Sequence, residues 1–215
     1  ASNCACGVYS TIAGGFANQA IGYCSFIGAG WNNRTCGNRS AIVGGTGNIT
    51  TGCYSSIVGG TTACAPRFGQ RSFSSGSWIS CGGCGASQQI DLVGRNTTTD
   101  ATPVNIFLDG STQRISVLNE TAMFVTINIA GITSGGTSAA HYIRKVAIKN
   151  VGGTTSLIGA VSTIGTDVED NALYDVIITA DNTNDALDIQ VKGVVGDTMR
   201  WTVHISGVEM KYSWT

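Results

Sequence analysis

The chain is short of charge, proline and long apolar runs. Charged residues fill 12% of its 215 positions, against about a quarter in ordinary globular domains. There are 2 prolines beside 30 glycines. No stretch of about 18 apolar residues occurs, so no membrane insertion is expected. No basic and apolar leader opens the chain, so no signal peptide is visible. The first residue is Ala, not Met, which points to a processed chain or a piece of a longer one. No window shows convincing 3.6-residue periodicity. Lysine is missing up to residue 94, where Arg34, Arg39, Arg67 and Arg71 face Asp91 alone for a net charge of +3. Residues 95–215 carry 8 basic and 12 acidic side chains, a net of −4. Neither half has the basic density of a nucleic-acid binder.

Catalytic signatures are also missing. There is no G-x-S-x-G and no H-E-x-x-H. The two histidines, His141 and His204, have no triad partners near them in sequence. No enzymatic activity and no cofactor are expected on this ground.

What remains is glycine, Thr, Ser, Asn, Ile and Val, a mixture that favours strands and turns. Its order is periodic. The segments YSTIAGG (9–15), CSFIGAG (24–30), RSAIVGG (39–45) and YSSIVGG (54–60) lie 15 residues apart. Ile12, Ile27, Ile42 and Ile57 share one phase. Gly7, Gly22, Gly37 and Gly52 share another, and Asn18, Asn33 and Asn48 a third. Such a period suits one coil of a narrow solenoid with two short strands and two turns. Coils stacked at the strand spacing of about 4.8 Å would turn the Ile phase into an apolar spine. The Asn phase would become a hydrogen-bonded ladder. The Gly phase would mark a turn with φ > 0 or a close backbone approach.

Alternation within the motif puts Ser, Ile and Gly on one face. The other face carries Thr11, Phe26, Ala41 and Ser56, then Ala13, Gly28, Val43 and Val58, and it too is dry. A single narrow coil cannot bury both faces against itself, so an oligomer is expected. After Ser55 the next matching serine is taken to be Ser72, with Pro66 and Arg67 as a two-residue insertion. The pattern fades between about residues 80 and 94, which sets a boundary between a Cys-rich stalk (1–94) and a C-terminal domain (95–215).

The repeat "YS-x-I-x-GG-x-x-N…G" resembles the β-roll repeats of trimeric autotransporter adhesin heads, and more closely the "YS-x-I-x-GG" repeats of bacteriophage tail fibres. The resemblance covers roughly residues 7–77. It implies a left-handed parallel β-roll, a homotrimer and an adhesive role in a virion, joined to other fibre or baseplate proteins. The 15-residue period, the cysteines and the lack of a membrane anchor favour the phage reading over a bacterial adhesin fragment. A structural stalk or decoration protein without a ligand and a fibre-borne depolymerase are the remaining alternatives.

Beyond residue 100 the alternating runs lengthen. Met123–Ile129, Leu187–Val191 and Thr198–Ser206 each alternate apolar with polar residues, and further strands are expected over 103–108, 141–149, 156–164 and 173–180. About eight strands joined by GG, DG, DN and ND turns indicate an antiparallel β-sandwich or jelly roll. After Gly207 the apolar parity shifts to Val208, Met210, Tyr212 and Trp214, as at a β-bulge.

All eight cysteines (Cys4, Cys6, Cys24, Cys36, Cys53, Cys64, Cys81 and Cys84) lie in the first 84 residues. Cys81-Gly-Gly-Cys84 is one well-spaced pair, and a structural zinc site needs two. Disulfides and buried thiols both remain open. Asp181, Asp185 and Asp188 could meet a hard cation, but lack the EF-hand pattern and read as a polar turn. No metal is expected. For a host-surface polysaccharide, Tyr142, Tyr174, Tyr212 and Trp214 are the candidate contacts, because Trp and Tyr join an apolar face to a polar edge. Trp201 shares its parity with Met199 and Val203 and is read as core.

Overall fold

A computed structural model describes residues 2–78 and 84–212. Apart from one short 3₁₀ turn at Ser134–Gly136, every regular element among them is a β-strand. The chain divides into two units. One runs to Asp91 and includes the segment from Val208; the other is Leu92–Gly207. Strands Ser87–Thr98 and Met199–Lys211 each contribute residues to both.

The first unit is a parallel β-solenoid of about five turns. One stack consists of Cys4–Ala5, Gln19–Ala20, Arg34–Thr35, Ile49–Thr50 and Cys64–Ala65, each paired in parallel with the next. The second consists of Thr11–Ile12, Phe26–Ile27, Ala41–Ile42, Ser56–Thr61 and Arg71–Ser75. Ile12, Ile27, Ile42 and Ile57 stand directly above one another. Ile27, Ile42 and Ile57 are completely buried, together with Ala20, Ala63 and Ala65. Burying each isoleucine stabilises the coil by about 2 kcal/mol.

Beside the apolar column runs a polar one. The backbone N–H of Asn33 donates to Oδ1 of Asn18 at 3.0 Å, and that of Asn48 to Oδ1 of Asn33 at 3.0 Å. Asn33 Nδ2 donates to the carbonyl oxygens of Ala29 and Gly45. Each amide thus satisfies backbone groups of its own coil and its neighbours, which a buried polar group requires. The column starts one coil earlier than the sequence reading placed it, at Asn3, whose Oδ1 accepts from the Asn18 N–H.

The glycine columns differ in what they do. A Cβ on Gly22 would strike the carbonyl oxygen of Gly37, and one on Gly37 that of Gly52. Close approach of coils therefore sets that column. Positive φ belongs to other columns: Gly15, Gly30, Gly45 and Gly60 lie between 86° and 109°, and the non-glycine residues Tyr9, Cys24, Arg39 and Tyr54 between 52° and 58°. At the non-glycine column the left-handed turn lets the Cys24 N–H reach the Val8 carbonyl and the Arg39 N–H that of Tyr23.

At the end of the solenoid there is no inserted pair. Arg71 stands opposite Ser56 and Ser72 opposite Ile57. Ser72 therefore occupies the isoleucine column, and its hydroxyl donates to the Cys64 carbonyl at 2.8 Å. A polar network replaces the spine. The Arg67 guanidinium pairs with Glu209 at 2.5 Å, both side chains almost fully buried, and Gln88 Nε2 donates to the same carboxylate at 2.7 Å. Ser87–Asp91 closes the last coil antiparallel, with Arg71 opposite Asp91.

The second unit is antiparallel. Thr121–Thr133 pairs along its whole length with Ala139–Val151, which also carries Thr154–Leu157, Ser162–Thr163 and Val168–Glu169. Ala186–Lys192 pairs with Val104–Asn105, Ile115–Ser116 and Asp175–Asp181. Met123, Val125, Ile127 and Ile129 alternate inward on one strand, and Met199, Trp201, Val203 and Ile205 on another.

The strand Met199–Lys211 departs from its apolar pattern beyond Gly207. The alternation of burial continues without a flip: Glu209 is buried, while Val208 and Met210 are exposed. The reason is the partner set. Arg67 and Gln88 neutralise and hydrogen-bond Glu209, so the polar residue takes the inward position. Gly207 itself allows close contact, since a Cβ there would strike the Phe124 carbonyl.

Candidate functional site

In the second unit, a cluster of phenols and carboxylates forms on the inward side of strand Ala139–Val151. Alternation directs Tyr142 and Arg144 to that side. The Arg144 guanidinium holds Asp167 through two bonds of 2.6 and 2.7 Å, a bidentate geometry that suits a carboxylate. Tyr142 donates to Glu169. Tyr174 donates to Asp197 at 3.2 Å, and the Ala139 N–H donates to Asp170 at 2.8 Å. Trp201 sits between the two tyrosines, stacked with Tyr142 and edge-on to Tyr174. Its indole N–H donates to Thr98 at 3.0 Å.

The environment separates these groups electrostatically. Burial, reinforced by the bond to Glu169, pushes the Tyr142 phenol well above its ordinary range. Burial also raises Tyr174. The hydrogen bond from Arg144 holds Asp167 below the usual carboxylate range. At neutral pH the two phenols therefore stay protonated and donate. The result is a group of acidic residues gathered from separate segments, in which Arg144 neutralises Asp167 while Glu169, Asp170 and Asp197 accept from neutral donors.

The other candidate residues are distributed as follows. Tyr142 and Tyr174 are buried, whereas Tyr212 is 92% exposed. Cys81 and Trp214 lie outside the described residues. Cys4 is bonded to Cys6, and Cys64 to Cys84. Cys24, Cys36 and Cys53 are free thiols. Arg114 lies 3.1 Å from Asp181 and 3.6 Å from Asp188, so a guanidinium occupies the space between those two carboxylates. Asp185 accepts from the Thr155 hydroxyl at 2.8 Å. Among the described residues no group of three His, Cys, Asp or Glu is placed to hold a metal ion. His141 and His204 are exposed. No helix among the described residues is long and apolar enough to cross a membrane.

Sequence reasoning missed two ion pairs, Arg144–Asp167 and Arg67–Glu209. No local signal could reveal the second, whose partners are 142 residues apart. It also missed Phe16 and Trp31, which are bridged in register on adjacent coils; their shared phase was visible.

No family model matches the chain, and no curated relative does. Solved structures similar to it are phage tailspikes. The tailspike of Acinetobacter baumannii bacteriophage Fri1, described as a capsular polysaccharide depolymerase, is 10% identical with a TM-score of 0.35; the match covers 88% of this chain and 39% of that one. The tailspike of Acinetobacter baumannii phage AM24 is 10% identical with a TM-score of 0.34, covering 92% of this chain and 48% of that one. The chain thus spans less than half the length of either. The first description overturns the expectation, drawn from missing motifs, of a chain without enzymatic activity. The physical reason is general: carboxylates that act together can come from separate segments of a fold and then leave no motif in the sequence.

Proposed function

We propose that this chain is part of a homotrimeric phage tail fibre or tailspike that attaches to polysaccharide on the host surface. In this reading residues 1–94 are a left-handed roll with a 15-residue repeat, packed against two sister copies. Residues 95–215 are the sandwich-like tip, and other virion fibre or baseplate proteins hold the assembly. Ile12, Ile27, Ile42 and Ile57 form the spine of each roll, Asn18, Asn33 and Asn48 its ladder, and Gly7, Gly22, Gly37 and Gly52 its close-packed corner. Tyr212 and Trp214 are the aromatic candidates for glycan contact outside the core.

One observation carries the proposal. The outer face of the solenoid leaves Phe16, Phe26, Trp31, Val43, Val58 and Phe73 between 41% and 59% exposed. Soluble monomers rarely expose contiguous apolar patches beyond a few hundred Å². Three copies would cover such faces mutually, and three tips would act together on one polymer, multiplying weak contacts.

Light scattering tests the assembly. A particle of three times the 22.1 kDa of one chain, with and without reductant, is the expected result. A monomer at all concentrations overturns it. Binding to isolated host polysaccharide tests the attachment. A trimer that binds no glycan but binds other virion proteins would reduce the chain to a stalk.

A further inference from the structure

The two sides of the large sheet in the second unit have opposite character. Arg144 points inward and is paired with Asp167. On the outward side, strand Ala139–Val151 presents His141, Lys145 and Lys149, all exposed. Strand Met199–Lys211 adds Arg200 on the corresponding side. Every outward position of Thr121–Thr133, of Ala139–Val151 and of the stretch from Met199 to Gly207 lacks a carboxylate. This is notable in a region with 12 acidic residues against 8 basic ones. Across from Lys145 stand Thr126 on one side and Ser162 on the other. Across from Lys149 stand Ala122 and Ser156. Neither lysine forms an ion pair among the described residues.

A cleft of about 280 Å³ opens on this face around Lys145. Phe124 and Ile158, both about two-fifths exposed, stand on it with the hydroxyls of Thr126, Ser162 and Ser206. Ala147, Ala160 and Gly207 leave room there. An aromatic ring, surrounding hydroxyls and an unpaired ammonium suit a sugar that carries negative charge. The spacing of the cations selects the kind of charge. Lys145 and Lys149 are four residues apart on one strand, roughly 13 Å. Separated single cations match carboxylates repeated along a chain, whereas a phosphate favours converging donors.

We propose that this outward face docks a carboxylated, uronate-bearing polysaccharide, with Lys145 and Lys149 meeting separate, non-adjacent carboxylates along the chain and Phe124 stacking on a sugar ring. The inference rests on the attachment reading above and names its substrate class and its face.

The test is binding of the full chain to alginate by calorimetry at low salt. Neutral dextran, inorganic polyphosphate and the host's own surface polysaccharide serve as parallel ligands. The variant Lys145→Glu/Lys149→Glu is compared with Lys192→Glu on the other sheet, with circular dichroism as the folding check. Alginate binding that falls at least roughly tenfold in the double variant, but not in Lys192→Glu, is the expected result. Phe124→Ala weakens it with unchanged salt dependence. Alginate affinity unmoved by the double reversal overturns the face, while the attachment reading stands if host polysaccharide is still bound. Polyphosphate bound in preference to alginate overturns the substrate class. A double variant with altered particle mass identifies the face as an interface between copies and overturns the docking site. Loss of all polysaccharide binding by the unmodified chain takes the attachment reading down as well.

Discussion

The solenoid and the antiparallel unit reach dry interiors by opposite means. In the solenoid one residue type is used again at each level: isoleucine on isoleucine, asparagine on asparagine. Each coil satisfies its neighbour, and the energetics approach a sum of similar nearest-neighbour terms. In the antiparallel unit no column repeats. Trp201 is held by Thr98, Tyr142 and Tyr174, three different partners from three different segments. The difference teaches where each region is vulnerable. A solenoid fails at its ends, where repetition stops and something else must satisfy the last coil. A heterogeneous sheet fails wherever a unique partner is lost.

The largest effect is therefore expected at the closing network. Glu209→Ala leaves Arg67 buried without its carboxylate and should cost about 3–5 kcal/mol in chemical denaturation. Replacing both partners with apolar residues of similar size should cost much less. An equal loss in both variants would mean that packing, not the uncompensated charge, dominates at this end.

Repetition itself is tested inside the solenoid. Ile27→Ala and Ile42→Ala should each cost about 3 kcal/mol and agree with each other, because both side chains are fully buried between isoleucines. A large disagreement between the two melts would break the picture of equivalent coils.

Acid should act on the antiparallel unit through Asp167. Its folded-state pKa is depressed by Arg144, so its contribution is fully present above the ordinary carboxylate range and disappears as pH falls below it. Asp167→Asn should lower stability near neutrality and flatten that part of the acid profile, followed by circular dichroism. An unchanged profile would show that the pair has no net effect on folding. The smallest effect is expected for Arg71→Ala. The Arg71 side chain is 59% exposed in its pair with Asp91, and such surface pairs contribute about 0–1 kcal/mol.

The proposed docking face sharpens the same contrast. It lies on a sheet whose two sides are chemically distinct, while the proposed trimer contact lies on a solenoid whose outer side exposes Phe26, Val43, Val58 and Phe73. Charge reversal at Lys145 and Lys149 should leave the mass of the assembly alone. A polar substitution at Phe26 or Val58 should change the mass and not the charge dependence of binding.

The primary sequence by itself determined the solenoid. The phases of isoleucine, asparagine and glycine recur along the chain, and stacking identical residues is the arrangement that buries or satisfies all of them at once. It also determined the inward sets around Met123, Ile189 and Trp201, because strict alternation assigns one side of a strand to the core. Only the tertiary structure decided what happens where those rules conflict. The register at the last coil put Ser72, not an isoleucine, at the end of the spine. Glu209 turned inward against the apolar pattern around it because Arg67, distant in sequence, stood ready to receive it. The acidic residues around Tyr142 and the bare lysines on the opposite side became distinct surfaces only once the sheet separated them. Periodic burial is written locally, one residue after another. The pairing of charges is settled between segments that meet only in the folded chain.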